Sequence, residues 1–335
     1  DALHQGVEAM ASAETFKGYG PEQGYQETRD AIAAYYKRNG VDVDAGDIFV
    51  SDGAKSDTGN ITDLFGHDNV VLVPDPVYPV YVDTNIMAGN KVTYMAGNAE
   101  NGFLPMPNKE QHADVIYLCS PNNPTGAVME KSDLEAIAEI IKKHDLYVLS
   151  DEIYSELSYK GKHVSIASIP GMAERTVVIN GFSKSFAMTG WRLGYAAGPK
   201  KIIEQMVKIH QYLIMSSPTT SQYAAIEALK NGMPDVERMR EAYNQRRRFL
   251  VKALRDMGLP CFEPYGAFYV FPNISKFGMT SEEFATRLLH EKKVAVVPGD
   301  AFGTCGEGFL RISYAYSIED LKKALEKIKE FIDTL

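Results

Sequence analysis

The chain has 335 residues, enough for about two domains that bury roughly three quarters of the unfolded surface. It carries 35 basic against 44 acidic residues, a net charge of −9, with no local basic stripe to offset it. That balance argues against a nucleic acid or an anionic membrane as partner.

Cys119, Cys261 and Cys305 are far apart and odd in number, so they form no disulfide framework and suit a cytoplasmic setting. No apolar run reaches the ~18 residues of a membrane span, the first residues do not read as a signal peptide, and the histidines show no metal-ligand spacing. The first residue is Asp1, not methionine, so an upstream stretch of the natural chain is expected.

In chain order, residues 1–13 read as a short helix and Glu14–Tyr25 as a turn-rich loop. A helix over Gln26–Arg38 aligns Ile32, Tyr35 and Tyr36 and stops at Gly40. Asp47–Ser51 is a strand, and Asp52-Gly53-Ala54-Lys55 opens the next helix. Further strands follow at Val70–Val73, Val92–Met95, Val115–Cys119, Leu146–Leu149, Thr176–Ile179 and Leu193–Ala197. Between two of them Leu134, Ile137, Ala138 and Ile141 form a buried helical stripe. Apolar strands alternating with helices predict an α/β fold, a mostly parallel sheet covered on both faces, with ligands at the carboxyl ends of the strands.

After about Lys200 the pattern changes. Two long helical stretches, one to Lys230 and one over Asp235–Met257, lead to a smaller α+β part with strands at Ala267–Phe271, Val294–Val297 and Phe309–Ile312. Helices at Ser281–His290 and from Ile318 onward would pack on them. The expected division is a large domain over residues 40–225 and a smaller one from 1–39 plus 226–335, bridged by the helix near 235–257. Arg246-Arg247-Arg248, inside that helix, reads as a solvated face.

Five features fall where strands end. Gly53-Ala54-Lys55 is a strand-to-helix turn whose amides and helix dipole suit a phosphate, or simply a tight turn. Ser120-Pro121-Asn122-Asn123-Pro124-Thr125-Gly126 is either a bare loop or a donor of the Asn123 amide to a phenolate-like oxygen. Ser150-Asp151-Glu152-Ile153-Tyr154 offers a carboxylate for a protonated ring nitrogen; the alternative is an exposed acidic loop. Ser183-Lys184, with Arg192 in Gly-Trp-Arg-Leu-Gly, pairs an amine nucleophile with an anion fork, although a solvated loop lysine would look the same. Arg311, inside the apolar Phe309–Ile312, costs several kcal/mol unless an anion or a structural acid faces it.

In this order and spacing the set resembles the class I/II aminotransferases of fold type I, which use pyridoxal 5′-phosphate (PLP), over essentially the whole chain. The resemblance implies that Lys184 carries the cofactor and then shuttles the proton between substrate Cα and cofactor C4′. Asp151 would pair with the pyridine nitrogen, Tyr154 and Asn123 with the phenolic oxygen, and Tyr78 would stack on the ring. Gly53, Ala54, Lys55, Ser183 and Arg192 would bind the phosphate and Arg311 the substrate carboxylate, while Tyr19 would reach the phosphate of the neighbouring subunit in a homodimer.

The resemblance is mixed. Residues 1 to about 110, with Glu14–Tyr25, Phe49–Lys55 and Asp75–Asp83, are similar to LL-diaminopimelate aminotransferase, an enzyme of lysine biosynthesis, in which the counterpart of Glu22 meets the distal ammonium across the dimer. From about Tyr117 the chain is similar to bacterial aspartate and aromatic aminotransferases. Gly181 and Ser217–Ser221 depart from the diaminopimelate pattern, which supplies a serine and an asparagine there. The expected reaction is therefore amino exchange between an amino acid and a 2-oxo acid. LL-diaminopimelate with 2-oxoglutarate comes first, then aspartate or an aromatic amino acid. PLP-dependent β-elimination and a non-catalytic PLP-binding regulator are the readings from other classes.

Overall fold

The computed structural model describes residues 1–108 and 110–335. The described helices and strands, in chain order, begin with α1 (Ala2–Ala9), α2 (Gln26–Arg38), β1 (Ile48–Ser51), α3 (Ala54–Phe65), β2 (Val70–Asp75), α4 (Val80–Met87) and β3 (Lys91–Ala96). They continue with β4 (Val115–Cys119), α5 (Lys131–His144), β5 (Tyr147–Asp151), β6 (Thr176–Gly181), β7 (Gly194–Ala197), α6 (Lys200–Ile214), α7 (Thr219–Asn231) and α8 (Met233–Asp256). The chain closes with β8 (Tyr269–Val270), α9 (Ser281–Lys292), β9 (Val297–Pro298), β10 (Leu310–Ser313) and α10 (Ile318–Ile332).

One described sheet has the order β1-β7-β6-β5-β4-β2-β3; β6, β5, β4, β2 and β3 run parallel and β7 is antiparallel to both of its neighbours. The pleat divides β4 between two cores. Val115, Tyr117 and Cys119 face a layer built with Ile61 of α3, Tyr81 of α4 and Ile203 and Met206 of α6. Ile116 and Leu118 face Leu134, Ile137, Ala138 and Ile141 of α5. The same second face takes α2 and α7 further along, where Ile32, Tyr35 and Tyr36 meet Ile48, Val50 and Tyr195. Helices thus cover both faces, as the apolar strands require. Helix α5 is held at its ends by a capping box between Glu130 and Asp133 and by Asp145 in the left-handed region. The second described sheet, β8-β10-β9, is antiparallel and packs with α8, α9 and α10 around Leu254, Phe284, Tyr314 and Phe331.

Several sequence expectations need correction. Helix α1 ends at Ala9, short of residue 13. The stretch to Lys230 is two helices, because Met215 turns to φ +69° and Pro218 starts α7 afresh. Strand β8 is shorter than Ala267–Phe271, since Ala267 lies at φ +56°, and β9 begins only at Val297. Arg247 is no part of a solvated face. It is 7% exposed, ion-paired with Glu263, and donates to Asn244 Oδ1 at 3.0 Å and to the Pro264 carbonyl at 3.2 Å.

Candidate active site

Strands β1, β4, β5 and β6 end at the same edge of the large sheet, and the loops that follow them enclose a cavity of about 390 Å³. Gly53, Ala54, Lys55, Tyr78, Asn123, Asp151, Tyr154, Ser183, Lys184, Arg192 and Arg311 all line it. Eleven positions singled out from sequence therefore share one space. Tyr19 and Glu22 do not; both lie on the exposed loop before α2, Tyr19 being 87% exposed.

Asp151 closes β5 and is 7% exposed. The Ile153 N–H donates to its Oδ1 at 3.0 Å and the Tyr81 hydroxyl to its Oδ2. Burial holds this carboxyl above its usual range, against those two hydrogen bonds and the Lys184 charge. Among the described residues no cation forms an ion pair with it. A buried acid with its remaining lone pairs turned to a cavity fits a ligand that brings a positive nitrogen.

Lys184 follows β6, with Nζ 5.8 Å from the centre of the Phe268 ring. Burial lowers its pKa, helped by the positive charges of Arg311 and Arg192 and opposed by Asp151. More of the amine is consequently free near neutrality than on an exposed lysine, as a nucleophile toward an aldehyde requires.

The α3 N-terminus forms an anion cradle. Gly53 has φ +139°, and a Cβ there would sit 2.9 Å from Arg192 Nη2. Arg192, itself in the left-handed region at φ +53°, donates from Nη1 to the Thr189 carbonyl at 3.0 Å. Glycine lets the guanidinium approach the free amides of the helix start, which together suit a phosphate. Gly194 packs as closely, its would-be Cβ 2.8 Å from the Ala54 nitrogen.

Arg311, the second residue of β10, has no ion pair among the described residues, so the structural-acid alternative falls away. Its guanidinium carbon lies 4.6 Å from the Tyr269 ring centre and 4.7 Å from that of Phe302, and Nη1 donates to Asn123 Oδ1 at 3.0 Å. Two aromatic rings and one amide hold the fork while leaving it free for a carboxylate. Tyr154 and Tyr269 hydroxyls meet at 3.0 Å on the same wall.

The cavity also uses residues that the sequence reading passed over: Thr58, Tyr81, Cys119, Ile153, Thr189 and Tyr269. Burial pushes the Cys119 thiol up to about 12, which leaves it a neutral wall residue. Tyr81 carried a local signal, lying three residues after Tyr78 in the same segment. Tyr269 had none, since its place depends on long-range packing of β8.

The family model described as aminotransferase class I and II matches residues 1–328. The chain is 43% identical to the aspartate aminotransferase of Pyrococcus abyssi over 325 residues, 94% of this chain and 84% of that protein. It is 39% identical to a probable N-acetyl-LL-diaminopimelate aminotransferase of Bacillus subtilis over 328 residues, 95% and 82% of the two chains. The crystal structure of the aromatic aminotransferase from Pyrococcus horikoshii OT3 superposes with a TM-score of 0.94 at 41% identity, covering 99% of this chain and 92% of that one.

Proposed function

Given that the chain belongs to the class I and II aminotransferases, whose cofactor in this fold is pyridoxal 5′-phosphate, we propose that it exchanges an amino group between aspartate or glutamate and a 2-oxo acid. The observation that carries this reading is the charge of the cavity. Lys55, Lys184, Arg192 and Arg311 line it against a single carboxylate, Asp151, and none of the four cations is ion-paired among the described residues. A phosphate dianion and a substrate with two carboxylates complement that set.

When bound, the cofactor supplies a conjugated ring that draws electrons from the substrate Cα, so that this carbon can lose and regain a proton. The residues divide the remaining work. Lys184 would hold the aldehyde through Nζ, and its amine is the group that would move the proton at Cα. Asp151 holds the ring nitrogen protonated. Asn123 and Tyr154 would donate to the phenolic oxygen, and Tyr78 would cover the ring. Gly53, Ala54, Ser183 and Arg192 hold the phosphate. Arg311 grips the α-carboxylate in two-pronged fashion, aligned by Asn123. Lys55, beside Tyr78 with Nζ 5.9 Å from its ring centre, is the cation left for a distal carboxylate.

LL-Diaminopimelate with 2-oxoglutarate is the second reading, favoured by the N-terminal motifs. It needs Glu22, which lies off the cavity of its own chain, and so it needs a partner subunit. We place both readings in a homodimer, with residues 40–225 carrying the cofactor groups and the smaller part contributing Tyr269 and Arg311.

The test is a donor panel on the PLP-loaded protein. Aspartate or glutamate should bleach the cofactor absorbance in one turnover, and 2-oxoglutarate should restore it. Bleaching by LL-diaminopimelate alone would replace the first reading with the second. Sustained release of oxo acid from a single amino acid would make the protein a lyase, and no bleaching by any donor would remove transamination.

A further inference from the structure

Tyr81, in the first turn of α4, is 1% exposed, and its hydroxyl donates to Asp151 Oδ2 from beneath the cavity. We propose that Tyr81 is a positioning residue that sets where the proton rests between Asp151 and the ring nitrogen of the cofactor; this rests on the reading of Asp151 given above.

Three observations support it. First, the two carboxylate oxygens are treated alike, each receiving one donor from the chain: the Ile153 N–H on Oδ1 and the Tyr81 O–H on Oδ2. Each keeps a lone pair for a further donor in the cavity. Second, the phenol cannot swing away. Its ring is packed edge-on against Tyr78, centres 5.8 Å apart at 86°, and tilted against Tyr117 at 5.5 Å. Burial also pushes its pKa far up, so it stays a donor at all working pH values. Third, Tyr78 and Tyr81 come from one short segment, so the ring face and the acid beneath it are positioned by the same backbone.

The other groups facing the pair are Cys119 from β4, Asp57 from α3, Glu152 and Tyr154 from the loop after β5, and Lys184 after β6. Among these Lys184 is the cation, and Tyr81 is the hydroxyl that donates to the carboxylate. A donor on a carboxylate makes it a weaker base. Without that donor Asp151 competes harder for the ring proton, the ring carries less positive charge, and basic atoms elsewhere on the cofactor keep their protons to higher pH.

The experiment is a pH titration of the bound cofactor's absorbance in wild type and Tyr81→Phe, repeated with an analogue whose ring nitrogen is replaced by carbon. The midpoint in Tyr81→Phe should rise by about one pH unit, the size of one hydrogen bond to a charged group. With the analogue, wild type and variant should titrate together. Coincident titrations with the natural cofactor overturn the proposal, and so does a shift that persists with the analogue. Should Tyr81→Phe fail to fold, fluorotyrosine placed at position 81, a stronger donor of nearly the same shape, must lower the midpoint; an unmoved midpoint there also overturns it. A wild-type protein that acquires no such absorbance overturns the reading of the site itself, whereas a titrating wild type matched by its variant overturns only the role of Tyr81.

Discussion

Lys184 and Asp151 are displaced from their ordinary protonation in opposite senses, and burial is the first cause of both. For the lysine the consequence can be worked through with sign. Its folded value lies below the ordinary 10.5, so between the two values the unfolded chain binds more protons than the folded one. The cofactor-free protein therefore loses stability to this group at low pH and regains it as pH rises through that window. The free amine appears over the same window. Capture of pyridoxal 5′-phosphate, followed by absorbance after mixing, should accelerate with pH and reach half its maximum below 10.5; Lys184→Ala should show no covalent capture at any pH. A midpoint at the value of an exposed lysine would mean that the surroundings of Nζ do not tune it. Arg311 raises the same question from the other side: a charge in an apolar strand pointed to an anion, and the two rings beside it explain how the strand tolerates it before one arrives.

Among the elements, Arg247 on α8 shows why a run of arginines is a poor guide to exposure. Its neighbours Arg246 and Arg248 are not buried as it is; one step of the helix turns it toward the loop at Cys261–Pro264, where Glu263 and a carbonyl receive it. Arg247→Ala should cost about 2 kcal/mol in urea unfolding, less than the ~3–5 kcal/mol for breaking a fully buried pair, because Glu263 is partly exposed and keeps Arg255 at 3.0 Å. A change within error would make the pair dispensable. What could be read from sequence follows the same physics. Strands β4, β5 and β6 are apolar on both faces and announced themselves, and Asn123, Asp151 and Lys184 were found because each lies at or just past the end of such a strand. Helix α4 was missed: only eight residues long, it enters from Pro79 with no capping side chain and buries just Tyr81 and Asn85. Tyr81 went with it. The break at Met215 was hidden because helical periodicity resumes at once beyond Pro218.

At the scale of the molecule the two sheets meet at the cavity. Asn123 from the large sheet accepts from Arg311 of the small one, and Asp75 at the end of β2 accepts from Thr304 Oγ1 at 2.8 Å and from the Cys305 amide at 3.1 Å. Among the described residues, neither Tyr19 nor Glu22 lines that space in one chain. If Tyr19 serves the phosphate, it must do so for another copy, and this can be tested without visualising the dimer. Lys184→Ala retains Tyr19 but cannot hold the cofactor covalently, while Tyr19→Ala retains Lys184 but lacks the donated hydroxyl. In a hybrid of the two, the cavity of the Tyr19→Ala chain receives the intact Tyr19 of its partner and is whole; the other cavity has neither lysine nor donor. Mixing the two variants and allowing subunits to exchange should therefore create a class of sites with wild-type PLP affinity that neither parent possesses. With equal amounts and random pairing these are about a quarter of all sites, which a two-class cofactor titration resolves. A mixture that titrates as the plain average of its parents would confine each cavity to its own chain, and would take with it the route by which Glu22 could select an LL-diaminopimelate donor.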